Sequence, residues 1–221
     1  MKEPMTEIYL VRHPESALNA DASTVGGRSN HTPLTEHGEE QARRFAKAFA
    51  AHYPAPDVFY SSPAVRTKAL LDIYNETLGQ NNGYFIDPDL QEMSQGEKEG
   101  VPKIEVYTPE ILKAIDERLL DFALPSGESV NDVANRFDGR IEQIAKRHPN
   151  SVVLVATHGQ LIRAGVGRLL GWNHFETTQD PTHRTENVSL THLTVEDGQT
   201  TVNFWGKNII EPVEIAESKL Y

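Results

Sequence analysis

Cysteine is absent from the 221-residue chain. This absence excludes disulfide bonds, thiolate metal ligands and a cysteine nucleophile at once. Positive charge is also scarce, because 21 lysines and arginines stand against 32 aspartates and glutamates and leave a formal net charge of −11. A broad basic face for nucleic acid or for an anionic membrane is therefore not expected. An anionic ligand would need a locally built positive pocket.

Long hydrophobic runs are missing as well, since nowhere do about 18 apolar residues follow one another. The first six residues are polar and contain no apolar signal core. We therefore expect a cytoplasmic protein. The chain is 38% hydrophobic and 24% charged, which is typical of a globular domain with a real core.

Short apolar runs at residues 8–11, 58–60 and 152–156 predict strands that are buried on both faces. Helical periodicity separates them, and residues 189–195 and 201–205 predict a hairpin near the end. This alternation predicts an α/β fold, namely a three-layer α/β/α arrangement with a mainly parallel central sheet and a C-terminal antiparallel addition.

Four helices are predicted from apolar stripes and caps. They cover residues 36–51, a segment capped by Ser62 with Pro63 in its first turn, a segment from the Ser129 cap toward His148, and residues 160–170. The less regular interval at about 84–125 resembles an insertion over the site. We therefore expect residues 1–221 to form a single domain, and the hairpin offers an edge strand through which a homodimer could form.

Cationic and imidazole side chains follow the predicted strands at the point where each ends. Arg12 and His13 follow the first strand, His158 follows the strand at 152–156, and Arg66 begins the helix after residues 61–63. Ligands of such sheets bind beyond the carboxyl ends of the strands. Two guanidinium forks with two imidazoles suit a phosphate better than a metal ion, because only Glu15 offers a carboxylate beside either histidine. No metal and no cofactor are expected.

These segments resemble the histidine phosphatase superfamily, also called the phosphoglycerate mutase-like family. The family hallmark is a strand that ends in Arg-His-Gly, followed by Glu and then Asn. The matches occur in the family's order over nearly the whole chain, at residues 12–19, 33–42, 61–67, 90–100, 126–129, 157–159 and 187–189.

The resemblance implies a metal-independent phosphatase of the histidine acid type that hydrolyses phosphomonoesters. It implies that His13 is the nucleophile and forms a phosphohistidine, and that Arg12, Arg66 and His158 hold the transferring phosphoryl group. Glu92 takes the position of the proton donor, for which Glu15 and Glu97 compete.

Substrate contacts are expected from Asn19, Gly159 and Gln160, which match or neighbour family motifs, and from Arg28 in the variable segment. The expected ligand is a small phosphorylated metabolite whose identity the residues do not define.

Two departures keep alternatives open. Pro14 stands where the family usually has glycine, so one backbone amide that could contact phosphate is absent, as in a noncatalytic phosphate-ligand binding module. A phosphoglycerate mutase is the second alternative. Mutases proper carry an arginine-rich insertion for the substrate carboxylate, whereas residues 99–124 contain only Lys103, Lys113 and Arg118 as cations. A phosphatase is therefore favoured.

Overall fold

A six-stranded sheet forms the centre of the computed structural model, which describes residues 4–20 and 23–210. The strand order is β3-β2-β4-β1-β5-β6. The strands β1 to β4 pair in parallel, whereas β5 runs antiparallel to β1, and β6 antiparallel to β5. The strands are β1 (Met5–Arg12), β2 (Val58–Ser61), β3 (Phe85–Ile86), β4 (Val152–Thr157), β5 (Leu190–Glu196) and β6 (Gln199–Lys207).

The helices connect these strands and cover the sheet. In the described ranges they are α1 (Ala17–Ala20), α2 (Glu36–His52), α3 (Val65–Leu78), α4 (Lys103–Val106), α5 (Pro109–Arg118), α6 (Val130–Arg147), α7 (Gly159–Leu170) and α8 (His174–Thr178). None of them is both long enough and apolar enough to span a bilayer.

Alternate residues of the central strands face opposite helical layers. Ile8 and Leu10 lie in a buried cluster with residues of α6 and α7, such as Phe137. Tyr9 and Val11 lie in a second cluster with residues of α2 and α3. The two clusters explain why the strand at residues 8–11 is apolar at every position, and they confirm the expected α/β fold.

Local chemistry decides where the helices begin. Ser129 caps α6 as predicted, and Asp132 completes a reciprocal capping box. The prediction that Ser62 caps α3 is wrong, because the N-cap is Ala64, which makes no side-chain cap bond. The Ser62 hydroxyl instead lies 2.7 Å from Nε2 of His158. A serine before a proline is typical of a helix N-terminus, but here the serine hydroxyl forms a hydrogen bond with His158, which follows the neighbouring strand.

The interval at residues 84–125 is irregular, as expected, and includes β3, three turns of 3-10 helix, α4 and α5. Its residues Val106 and Leu124 form a small apolar cluster with Val25, against which Ile111 and Phe122 pack. The strand β3 was not predicted, because it has only two residues and both are exposed.

Candidate active site

The strand register brings the predicted site residues to one sheet edge. Arg12 at the end of β1 pairs with Thr157 at the end of β4, and the His13 amide donates to the Thr157 carbonyl at 2.9 Å. The neighbouring pairing of Ser61 with Ala156 brings the end of β2 beside them. Arg12, His13, Arg66 and His158, which we call the strand-edge cluster, therefore lie together as the sequence predicts.

His13 is held in one tautomer. Its side chain is buried, with 4% of the residue exposed, and Nδ1 lies 2.7 Å from the Pro14 carbonyl. A carbonyl only accepts, so Nδ1 carries the proton and Nε2 is left with a free electron pair. Burial lowers the pKa of His13 well below its usual value, and the charges of Arg66 and Arg12 lower it further. The imidazole is therefore neutral and suited to nucleophilic attack.

Arg12 is fixed by the backbone around it. Its Nη1 donates to the Thr185 carbonyl at 2.6 Å, whereas Nε is buried with no hydrogen-bond partner among the described residues. Gly159 packs against the guanidinium so closely that an added Cβ would lie 3.2 Å from it. Burial lowers the Arg12 pKa and the charge of Glu92 partly offsets this, but an arginine remains charged under such conditions. The orphaned N–H suits an anion.

Arg66 ties the cluster to a loop. Its Nη1 donates to the Ser29 carbonyl at 2.8 Å, and its Nη2 donates to the Arg28 carbonyl at 3.1 Å. Glu99 holds the same loop by accepting the amides of Arg28 and Ser29. Gly27, which precedes Arg28 in this loop, has φ +97°, and a Cβ added to it would lie 2.4 Å from the Glu99 carboxylate. The guanidinium is thus placed before any ligand arrives.

His158 lies in a chain of hydrogen bonds. Its Nδ1 accepts from Arg66 Nη2 at 3.1 Å, so its proton is on Nε2, which donates to the Ser62 hydroxyl at 2.7 Å. Ser62 in turn bonds to the Thr67 hydroxyl at 2.9 Å, and Thr67 donates to the Ala64 carbonyl. Burial lowers the His158 pKa well below its usual value, and the nearby cations and His13 add to the effect. His158 is therefore neutral and oriented.

Glu92 lies at the N-terminus of α7. Its Oε1 accepts the amides of Met93 and Leu161 at 2.8 and 3.2 Å, and its Oε2 accepts the Gln160 amide at 3.2 Å. Its charge reaches both guanidiniums, since it opposes the lowering of the Arg12 and Arg66 pKa by burial. With one amide partner, Oε2 keeps a lone pair that can carry a proton.

The competing acids lie elsewhere. Glu15 accepts from the Thr35 hydroxyl at 2.7 Å, and Glu97 accepts from the Ser126 hydroxyl at 3.1 Å. Neither contact belongs to the strand-edge cluster or to the start of α7. Glu92 is therefore the carboxylate that the structure brings to the cluster.

The residues predicted to contact the substrate differ in where they lie relative to the strand-edge cluster. Gln160 joins the site through its amide, as described above. Asn19 is exposed and accepts from Ser16 and from Asn187, whose side chain also donates to the His13 carbonyl at 2.8 Å. Arg28 contributes its carbonyl to Arg66, while its side chain lies 3.5 Å from Glu128. Arg28 therefore shapes the site through its backbone.

A brace under the Glu92 loop was missed by sequence reasoning. Arg136 on α6 donates to Glu128 at 2.9 Å and to the carbonyls of Asp89 and Gln91 at 2.7 and 2.9 Å. Thr157 supports the same loop through the Leu90 carbonyl at 2.8 Å. An arginine on the polar side of an amphipathic helix carries no signal that separates a brace from a solvated charge.

In the described parts of the chain, no group of three or more His, Cys, Asp or Glu residues is arranged to hold a metal ion. The cations of the strand-edge cluster instead suit phosphate oxygens, which guanidinium groups bind two at a time.

Comparison with known proteins identifies the family. The model of the histidine phosphatase superfamily (branch 1) matches residues 8–208, and the chain belongs to this superfamily. A metal-independent phosphoserine phosphatase of Arabidopsis thaliana is 33% identical over 171 residues, which are 74% of this chain and 68% of that protein.

Another relative is named for the mutase activity, which the sequence left open as an alternative. A probable phosphoglycerate mutase GpmB of Photorhabdus laumondii is 29% identical over 76% of each chain. The solved structure of Bacillus stearothermophilus YhfR superposes with a TM-score of 0.80 at 25% identity, over 93% of this chain and all of that one. The family expectation and the phosphatase class are confirmed.

Proposed function

We propose that this protein hydrolyses small phosphomonoesters through a phosphohistidine on His13, with Glu92 as the proton donor. The observation that carries the proposal is the His13 tautomer. The Pro14 carbonyl holds the proton on Nδ1 at 2.7 Å, and the neutral ring leaves Nε2 as a nucleophile between two guanidinium groups. Pro14 thus supplies the carbonyl that this orientation requires, although it lacks an amide.

Charge supports phosphate as the group that is transferred. Arg12 and Arg66 are charged and buried or partly buried, and both histidines of the strand-edge cluster are neutral. Glu92 faces both cations, and the charges of Glu186 and Glu99 also reach Arg12 and Arg66, respectively. The two guanidiniums would bind the oxygens of a phosphoryl group and stabilise the charge that its equatorial oxygens carry in the transition state.

The reaction balances in two steps. In the first, Nε2 of His13 attacks phosphorus, the bond between phosphorus and the ester oxygen breaks, and protonated Glu92 gives its proton to the leaving alkoxide. In the second, water attacks the phosphohistidine while the Glu92 carboxylate takes the water proton. The P–N bond then breaks, which releases inorganic phosphate and restores neutral His13.

Phosphate release from phenyl phosphate tests the proposal, with and without a metal chelator. We expect turnover that the chelator does not reduce, and a loss of roughly a thousandfold or more in His13→Asn. His52→Asn is the matched control, because His52 is exposed at the end of α2, and it should keep full activity.

Three results would contradict the proposal. Full activity in His13→Asn would remove His13 from the chemistry. Isomerisation of 3-phosphoglycerate faster than any hydrolysis would favour a mutase. Tight phosphate binding without turnover in the unmodified protein would indicate a noncatalytic module.

A further inference from the structure

A cavity of about 690 Å³ lies beside the Glu92 carboxylate. Glu92, Met93 and Gln160 are among the residues that line it, so it includes the place beside the proposed proton donor where the leaving group of a substrate would stand. This volume falls in the range of pockets that hold small organic molecules, roughly 300–1,000 Å³. The cavity is therefore placed and sized for the part of the substrate that the transferred phosphoryl group leaves behind.

Apolar side chains from the interval at residues 84–125 form part of the cavity lining. Five of its residues, which we call the apolar wall, are Tyr107, Leu112, Ile115, Leu119 and Phe122. Leu112, Ile115 and Leu119 recur at helical spacing on one face of α5 and at its end. That face does not enter the small cluster of the insertion, which α5 reaches through Ile111 instead.

The apolar wall remains accessible. Leu112 is 49% exposed, Leu119 is 47% exposed and Tyr107 is 37% exposed. Leu119 is also held at φ +53°, a left-handed conformation that is unfavourable for leucine. Clustered exposed apolar side chains beside a reactive centre are typical of a ligand surface, whereas scattered ones need no explanation.

The charge of the cavity restricts its ligand further. Among the described residues that line it there is no lysine or arginine, Glu92 and Asp116 are acidic, and His174 is the one imidazole. A carboxylate or second phosphate on the leaving group would meet these acids with no lysine or arginine to compensate, which is unfavourable in a partly enclosed site. The lining therefore disfavours phosphoglycerate as a substrate.

We propose that the cavity binds an uncharged, apolar alcohol portion, so that the preferred substrates are phosphomonoesters of alkyl or aryl alcohols. This inference rests on the proposed phosphatase function. The apolar wall removes the alkyl or aryl group from water, and the strand-edge cluster takes the phosphoryl group on the other side of Glu92.

A homologous series of substrates isolates this effect. Ethyl, butyl and octyl phosphate have leaving alcohols of nearly equal acidity, so differences in kcat/KM report binding of the chain. Below the micelle concentration, we expect kcat/KM to rise about two- to fourfold for each methylene that becomes buried, on the order of 100-fold from ethyl to octyl. 3-Phosphoglycerate should be hydrolysed more slowly than butyl phosphate.

Leu112→Lys places a cation in the apolar wall at a half-exposed helical position that tolerates lysine. The octyl-to-ethyl ratio of kcat/KM should fall about tenfold, and the rate with 3-phosphoglycerate relative to ethyl phosphate should rise. Leu170→Lys is the matched control, because Leu170 is 46% exposed at the end of α7 and does not line the cavity. It should leave the octyl-to-ethyl ratio unchanged.

The outcomes separate the two proposals. Failure to hydrolyse any of the esters would overturn the phosphatase proposal itself. Hydrolysis with equal kcat/KM for ethyl and octyl phosphate, or with 3-phosphoglycerate as the fastest substrate, would overturn only the inference about the cavity. A Leu112→Lys protein that changes from dimer to monomer in sedimentation while keeping the octyl-to-ethyl ratio would show that the wall contacts a second copy, and would also overturn it.

Discussion

The strand-edge cluster and the apolar wall meet at Glu92 but are built in opposite ways. The cluster consists of side chains at the ends of buried parallel strands and, for Arg66, in the first turn of the helix that follows β2, and each is fixed by at least one hydrogen bond. The wall comes from an insertion, and its leucines are about half exposed. We therefore expect the sheet edge to determine which group is transferred and the segment at residues 84–125 to determine which alcohol is released.

Glu92→Gln should have the largest effect, because it removes the proposed proton donor at the point where the strand-edge cluster and the apolar wall meet. Without a proton donor, hydrolysis of an alkyl phosphate should slow by about a thousandfold, within the usual range for general acid catalysis. With p-nitrophenyl phosphate, whose leaving group needs no proton, the first step should be nearly unaffected. Rapid-quench measurement of p-nitrophenol release checks this, and equal losses in that step with both substrates would rule out Glu92 as the acid.

Arg66→Ala should lower kcat/KM for every substrate by about 100- to 1,000-fold, since a buried charge that faces the transferred group is lost. Arg66→Lys should recover only part of the activity, because an ammonium group lacks the planar fork that reaches phosphate, His158 and the loop carbonyls together. The octyl-to-ethyl ratio should stay constant in both variants. A change in that ratio would show that the two regions are not separable.

Ser62→Ala should cost about tenfold in kcat, because the buried Nε2–H group of His158 loses its acceptor. Arg66 still donates to Nδ1, so nitrogen NMR should show the Nε2–H tautomer of His158 in both proteins, with the Nε2–H resonance shifted in the variant by the loss of the hydrogen bond. Ser62→Thr should restore both the rate and the position of that resonance.

Ser61→Ala is the control for that experiment. Ser61 is equally buried, but its hydroxyl donates to the Ser62 carbonyl and has no contact with His158 among the bonds of the described chain. It should lose stability without a shift of the His158 Nε2–H resonance. If Ser61→Ala and Ser62→Ala behave alike, the role of Ser62 is structural only.

The smallest effect concerns acid stability. His13 and His158 have a lowered pKa in the folded protein, so the unfolded chain binds more protons once the pH falls below about 6.5. Their contribution to stability is complete above that pH and is lost as the pH falls toward the folded pKa values. The slope is at most about 1.4 kcal/mol per pH unit for each histidine.

Urea unfolding at pH 7.5 and pH 5 measures this loss. His158→Gln should reduce the difference in unfolding free energy between the two pH values, whereas His52→Gln should not, because His52 is exposed. An unchanged difference in His158→Gln would contradict the assigned neutral state.

Much of this site could be predicted because the residues stand where buried apolar strands end. The runs at 8–11 and 152–156 locate Arg12, His13 and His158, and parallel pairing must bring them to one edge. The family motif adds Glu92, which periodicity alone does not distinguish from Glu15 or Glu97. The contacts that Glu92 makes with the first residues of α7 support its choice as the proton donor.

The remaining features depend on contacts between distant segments. Ser62 has the local pattern of a helix cap, but its hydroxyl forms a hydrogen bond with His158, which lies 96 residues away in the sequence. Arg136 lies on α6, and the apolar wall lies on and beside α5. Only tertiary packing decides which face of each helix is turned toward the site. No local sequence pattern indicates that face, since the same residues would suit a solvated helix surface.

Trapping the covalent intermediate tests the account most directly. The protein is mixed with an aryl phosphate, quenched in alkali where phosphohistidine survives, digested and analysed by mass spectrometry. We expect the phosphoryl group on the peptide that contains His13, removed by brief acid treatment and absent in His13→Asn. Turnover with no phosphorylated peptide, or a phosphoryl group on another residue such as His158, would contradict the assignment of His13 as the nucleophile.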